Sequence, residues 1–463
     1  MADGEEQGTE PAPGLTTSDS RNQLRKDVGS GEITRVLLAV PDIYGRLKGK
    51  VLDAEVLVER MGSAAEMCAY ILATDLDMTP LDDYDLTGWK QGYGDFAVKA
   101  DLGTMRMLPY QLGTAVVVGD AFHHDGSPVE VAPRNMLRRQ LERLSDVGYH
   151  VSLGIESEFL LLAGTPDKIR RAGYRDLRAA WPRKLDYALG HPPKISDFFR
   201  DLHSDLRLAG IPVEAIKTEG AAGQVEVTFA HGDPMAACDA HPVFRLITDD
   251  LAQRHGMTPV WMATPFTGTG SGLHLHVSLW SANGTAFTYH RGQDLPPAMA
   301  RAIAGLISGM PSLAPLYAPF TNSYKRFRPH TFAPTRHTWG FDNRGCAVRI
   351  TGVGKGAHLE IRLPGADANP YLALAASCAS ITHGFQDQPE LTDPCHGDAY
   401  TALAVPIAAT LTEGSAYFSG GTVPLAAFGE TVVRHFTRAA RAETQRERTQ
   451  VTDIEREYGI GHA

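Results

Sequence analysis

The chain has 463 residues, enough for a large buried core and, at ~150 residues per domain, for two to four domains. Acidic side chains outnumber basic ones, 54 to 44, and the formal net charge of -10 excludes a surface built as a whole to attract nucleic acid or anionic lipid. Five scattered cysteines, Cys68, Cys238, Cys346, Cys378 and Cys395, form no CxxC pair, so a reducing, cytoplasmic setting is expected rather than a disulfide framework or zinc ribbon.

Residues 1–28 open with MADGEEQGTEPAPGLTTSDS, acidic and rich in Gly, Pro, Ser and Thr, and read as a disordered tail with no signal peptide or anchor. Next, ITRVLLAVPDIYGRLKGKVL reads as two strands joined through Pro41 and Gly45, and LGTAVVVGDAF as another, so residues 29–128 form a small strand-rich domain. The turn-rich HHDGSPVEVAP leads into NMLRRQLERLSDVGY, a helix with Leu137, Leu141 and Leu144 on one face. A second domain then covers residues 129–463. Its strands VSLGIESEFLLL, GQVEVTFA, GLHLHVSLW, CAVRITGV and HLEIRL alternate with helices, chiefly 196–209, 235–255, 295–309 and 370–385. The pattern predicts an α+β fold on a curved, mainly antiparallel sheet. No run reaches the roughly 18 apolar residues of a membrane helix.

In GIESEFLLL, Glu156 and Glu158 share a strand face, with Ile155 and Phe159 on the other. The same alternation groups Gln224, Glu226 and Thr228; His274, His276 and Ser278; and Glu360 with Arg362. Arg349 sits likewise between Val348 and Ile350, five residues after Arg344. A solvated face with scattered ion pairs is the plainer account of any one such strand. Five strands carrying the pattern together favour a site. Hard cations such as magnesium or manganese take carboxylate oxygens and an occasional imidazole, and Glu156, Glu158, Glu219, Glu226, His274 and Glu360 supply enough donors for two ions. The arginines suit phosphate and carboxylate groups. Metals and arginines around one cleft suggest nucleotide phosphoryl transfer, without any GxxxxGK[ST] loop.

The ordered motifs ESE, EGAAGQVEV, GSGLHLHVS, NSYKRF, DNRGCAVRI and HLEIRLPGADANPY resemble the glutamine synthetase family, and its branch that joins glutamate to amines other than ammonia. The resemblance implies an N-terminal β-grasp domain, a catalytic domain with a funnel-like site, and a homo-oligomeric ring, a dodecamer in the family, with sites shared between subunits. It implies a first metal on Glu158, Glu219 and Glu226 and a second on Glu156, His274 and Glu360. His276 would touch the γ-phosphate of ATP, with Ser278, Arg344, Arg349 and Lys355 also lining the nucleotide. Arg326 would clamp the α-carboxylate of L-glutamate, Arg362 would lie over its γ-carboxylate, and the Gly270 backbone would line the pocket. Catalysis would rest on Arg344, Arg362 and His276.

Three departures fall on the substrate pocket. Phe332 stands where ammonia-using members carry a gating glutamate, and Thr269 replaces an asparagine before the pocket glycine. The N-terminal aspartate that approaches the next subunit's site has no matching motif here; Asp82, Asp83 and Asp85 in LDDYDLTGW are its candidates. A small amine such as ethanolamine is therefore expected first, its hydroxyl partnered by Tyr187 or Thr269. A polyamine is expected second, using the acidic run Asp75, Asp77, Asp82, Asp83 and Asp85. Ordinary glutamine synthesis and a non-catalytic relative are the alternatives. Tyr400 lacks the motif of nucleotidylated members, so that form of control is not expected.

Overall fold

The computed structural model describes residues 17–462. The first sheet holds β1 (Arg35–Pro41), β2 (Leu47–Asp53), β3 (Ala65–Cys68), β4 (Asp95–Ala100), β5 (Arg106–Met107) and β6 (Thr114–Phe122). Its order is β2-β1-β6-β4-β3, with β5 also on β6. The central β1–β6 pair is parallel and its neighbours are antiparallel, the arrangement expected of a β-grasp unit. The β1–β2 turn forms because Asp42 accepts hydrogen bonds from the Tyr44 and Arg46 amides while Gly45 takes a φ of 76°. Asn369 then donates to the Asp42 carbonyl at 3.0 Å, fastening this turn to the start of helix Pro370–Gln386.

The second sheet holds β7 (His150–Ala163), β8 (Val213–Thr218), β9 (Gln224–Gly232), β10 (Met257–Val260), β11 (Leu273–Ser281), β12 (Gly284–Thr285), β13 (Trp339–Phe341), β14 (Val348–Thr351) and β15 (His358–Ile361). It runs β13-β14-β15-β11-β7-β9-β8, antiparallel except at β13–β14. Ile155, Phe159, Val225, Val227, Leu273, Leu275, Val277, Leu359 and Ile361 are buried on one face, as their alternation predicts. Helices Pro133–Asp146, Pro193–Leu208, Pro234–Arg254, Pro297–Gly309 and Pro370–Gln386 each open on a proline, whose missing amide hydrogen costs nothing in the first turn. The last two cross at glycines: a Cβ on Gly305 would stand 2.2 Å from the Ser380 carbonyl oxygen, and one on Gly384 2.1 Å from that of Arg301.

One expectation needs correction. The disordered tail assigned to residues 1–28 gives way to a helix, Thr17–Gly29, whose Leu24 is fully buried in the main core. A mostly polar stretch is ordered by one apolar anchor, which average composition hides; residues 1–16 lie outside the described residues. The helices Leu411–Gly420, Thr422–Arg448 and Asp453–Gly459 close the chain and were not among the chief helices expected. Among the described residues no helix is long and apolar enough to cross a membrane.

Candidate active site

Strand register arranges the polar face of the second sheet in rows. One row reads Arg349, Glu360, His276 and Gly154 across β14, β15, β11 and β7. The next pairs His274 with Glu156 and Glu156 with Thr228. A third sets Glu158 opposite Glu226 and Glu226 opposite Lys217. The period-two alternation read along each strand therefore converges on one patch.

Two oxygen-rich groups stand out. Ligand atoms of Glu158, Glu219 and Glu226 lie within 4.8 Å of one another, and so do those of Glu156, His276 and Glu360. His274 sits between the groups, its Nδ1 3.1 Å from Glu156 and 3.4 Å from Glu360, its Nε2 4.0 Å from Glu158. Both histidines thus flank Glu156. Burial with the neighbouring Glu156, Glu158 and Glu219 carboxylates pushes Glu226 up to about 9, against the opposing Lys217. Lys217 instead binds Glu219 directly, and holds it below its ordinary value against the effect of burial. Burial would likewise raise Glu360, but Arg362, His274 and His276 outweigh it and hold it at about 2. His274 and His276 hold Glu156 well down in the same way.

The fit to divalent ions rests on these features. Carboxylates crowded until one keeps its proton, and a buried His276 Nε2 that lies 3.1 Å from Glu156 without hydrogen-bond geometry, leave a deficit of positive charge in the patch. Oxygen donors with one imidazole suit magnesium or manganese.

Arginines close the other side. Arg349 donates to Glu360 at 2.8 Å and also pairs with Asp342. Arg362 pairs with Glu360, and its Nε and Nη2 donate to the carbonyls of Arg344 and Phe332. Arg326 is buried, donating to the carbonyls of Arg362 and Leu363. Burial pulls its pKa down to about 10, so it stays charged at neutral pH. A Cβ on Gly270 would meet the Arg326 side chain at 3.3 Å, and the Gly270 carbonyl accepts from Gln224, which also donates to Glu158.

A catalytic-domain model of glutamine synthetase matches residues 130–458. The chain belongs to the glutamine synthetase family. It is 39% identical over 434 residues to the gamma-glutamylethanolamide synthetase GlnA4 of Streptomyces coelicolor, covering 94% of each chain. It is 32% identical to a glutamate–isopropylamine ligase from a Pseudomonas species, covering 90% of this chain and 92% of that one. The gamma-glutamylputrescine synthetase PuuA of Escherichia coli is 30% identical over 79% of this chain and 78% of its own. The solved structure of a GmaS–ADP complex superposes with a TM-score of 0.80 at 26% identity, covering 94% of this chain and 99% of that one.

Within this glutamine synthetase fold, the remaining expected residues are less gathered. Ser278 continues the β11 face opposite Ser152. The Arg344 and Lys355 side chains are exposed, Lys355 on the turn between β14 and β15. Phe332 is 69% exposed on a loop with φ 61°, tied to the site through its carbonyl. Thr269 is half-buried one residue before Gly270. Tyr187 is exposed, with the Lys217 ammonium 4.5 Å over its ring. Asp82 and Asp85 are met by helix Thr422–Arg448, the Asp82 carbonyl accepting from Arg438 and the Asp85 carboxylate pairing with Arg434. Tyr400 packs on His330 with ring centroids 5.0 Å apart.

Sequence reasoning missed Lys217, Asp342, His231 and His358. Lys217 and Asp342 had a signal, since each lies near a named ligand in sequence and answers its charge. His231 had none, because a β-bulge in β9 shifts the register between its pairings with Ile155 and Leu153. The bulge breaks the count that would have put His231 on the apolar face.

Proposed function

We propose that this chain is an ATP-dependent ligase that joins the γ-carboxylate of L-glutamate to a primary amine larger than ammonia, ethanolamine first and a polyamine second. The observation that supports the reading is the pair of ligand groups, Glu158, Glu219 and Glu226 and Glu156, His276 and Glu360 with His274 between them, together with Arg362, which donates to the carbonyl of the apolar Phe332. The names of the amine-ligating relatives support it. The five free cysteines fit a cytoplasmic enzyme, and a homo-oligomeric ring is the assembly the family suggests.

A carboxylate does not acylate an amine at neutral pH, because oxide is a poor leaving group. The γ-carboxylate oxygen of glutamate attacks the γ-phosphorus of ATP, the bond to ADP breaks, and γ-glutamyl phosphate forms. The amine nitrogen then attacks the acyl carbon and inorganic phosphate leaves. In this reading Arg326 would hold the α-carboxylate and Arg362 the γ-carboxylate, while His276 and Arg349 would meet the transferring phosphoryl group and Ser278, Arg344 and Lys355 would line the nucleotide. Glu158, Glu219 and Glu226, and Glu156, His274 and Glu360, would hold magnesium or manganese, which would neutralise phosphoryl charge.

The test is phosphate release from ATP and glutamate with a panel of amines. Turnover is expected with ethanolamine or a polyamine and little with ammonium. Ammonium as the best substrate would return the chain to ordinary glutamine synthesis, and no turnover with any amine would favour a non-catalytic relative.

A further inference from the structure

We propose that His231, His276 and His358 form a third cation site, built from imidazoles and selective for a zinc-class divalent ion, at the edge of the carboxylate patch. The three offer ligand atoms within 4.8 Å of one another. They come from three strands, and two details bring them together. The β9 bulge turns His231 onto the polar face. Gly154, directly opposite His276 in β7, leaves the space that the His231 ring fills: a Cβ there would stand 2.8 Å from its Cδ2 and 2.9 Å from its Nε2. Glycine in the interior of a strand commonly marks such a close approach.

The imidazoles are prepared to ligate. His358 Nδ1 lies 2.8 Å from the Gly356 carbonyl, which fixes its proton there and leaves the Nε2 lone pair facing His276. His276 presents Nδ1 to that lone pair at 2.9 Å and Nε2 to Glu156 at 3.1 Å. With an ion on Nδ1, the His276 proton moves to Nε2, 3.1 Å from a Glu156 oxygen, and the His358 ring carries the outer hydrogen-bond partner that orients a metal-bound histidine. The His231 ring is exposed to solvent and lies with its centroid 5.1 Å from that of His358 and 6.2 Å from that of His276. Neutral imidazoles are the form that binds metal. At metal–nitrogen distances of ~2.0–2.1 Å, His276 and His358 need to separate by only a few tenths of an ångström to admit an ion. Nitrogen donors favour zinc, cobalt or nickel where the adjoining carboxylates favour magnesium or manganese.

Zinc content of the full-length protein decides it. Metal-stripped wild type, His231→Asn, His358→Asn and Gly154→Ala are dialysed against millimolar magnesium with graded micromolar zinc and analysed by mass spectrometry for bound metal. Wild type is expected to hold one more zinc per chain than each variant, with affinity in the variants weaker by about tenfold or more. Circular dichroism of the magnesium-loaded variants reports whether each is folded. Independently of any variant, X-ray absorption of wild type with one equivalent of zinc under the same magnesium is expected to show a shell of three imidazoles. Equal zinc binding in wild type and folded variants, or a shell made of carboxylates, would overturn the site.

Discussion

Without metal, Glu226 keeps its proton in the fold at neutral pH and loses it on unfolding, because its pKa stands at about 9 against an ordinary 4.5. The folded state then binds more protons than the unfolded state between those values, so this residue's contribution to stability falls as pH rises from about 4.5 through about 9. Glu226→Gln cannot titrate. Thermal melts of the metal-free proteins are expected to show the variant gaining on wild type with rising pH across that window, while phosphate release is lost. A constant difference between the two would remove Glu226 from the coupled cluster. Glu219→Ala and Glu360→Ala are expected to abolish phosphate release while retaining wild-type circular dichroism; near-normal turnover in both would dismiss the metal assignment. At Phe332 the argument concerns the amine. Each methylene buried against an apolar wall contributes ~0.8 kcal/mol, so an ethylamine skeleton gains roughly tenfold over ammonia. Phe332→Glu is expected to move amine preference toward ammonium in a competition assay, and an unchanged preference would exclude this residue from the pocket.

Among the secondary-structure elements, one arginine ties three together. Arg134, at the start of its helix, donates to Asp239 on helix Pro234–Arg254 at 2.9 and 3.0 Å, to Asp120 on β6 at 2.5 Å, and to Asp101 at 2.6 Å. Tyr371 on helix Pro370–Gln386 completes the cluster, donating to Asp239 at 2.6 Å. Asp239 is fully enclosed, and removal of its cation leaves a buried charge without compensation. Arg134→Ala is expected to lower stability by ~3–5 kcal/mol, read as a shift of the urea midpoint. A shift under about 1 kcal/mol, the size of a surface pair, would mean that water replaces the guanidinium.

At the scale of the whole molecule, the loop of Phe332 and the N-terminal segment of Trp89 stand open to solvent in the single chain. Phe332 is 69% exposed and Trp89, in the acidic N-terminal segment, 78%. In that segment the Asp85 carboxylate pairs with Arg434, the Asp82 carboxylate accepts from the Trp89 amide, and Asp75 lines a separate cavity of about 870 Å³ with Arg438, Arg441, Glu443 and Arg446. The cavity shares no residue with the two carboxylate groups. Sedimentation is expected to show a large homo-oligomer that retains activity. A fully active monomer would show that no second copy is needed to close the pocket.

Alternation along unbroken strands was enough to place Glu156, Glu158, Glu226, His274, His276, Glu360 and Arg362 on one polar face, because side-chain direction in a strand depends only on parity. The ordered motifs added the family, while the second ligand group gathers His276 with Glu156 and Glu360 where the motifs had suggested His274. Tertiary structure decided the rest. Whether a residue faces its neighbour across a sheet depends on register, so Lys217 opposite Glu226 and His276 opposite both Glu360 and Gly154 could not be read from one strand at a time. A single bulge reversed the parity that would have hidden His231, and the buried Leu24 made a helix of a segment whose composition reads as a tail. Local pattern determines which way a side chain points; packing across the chain determines what it meets.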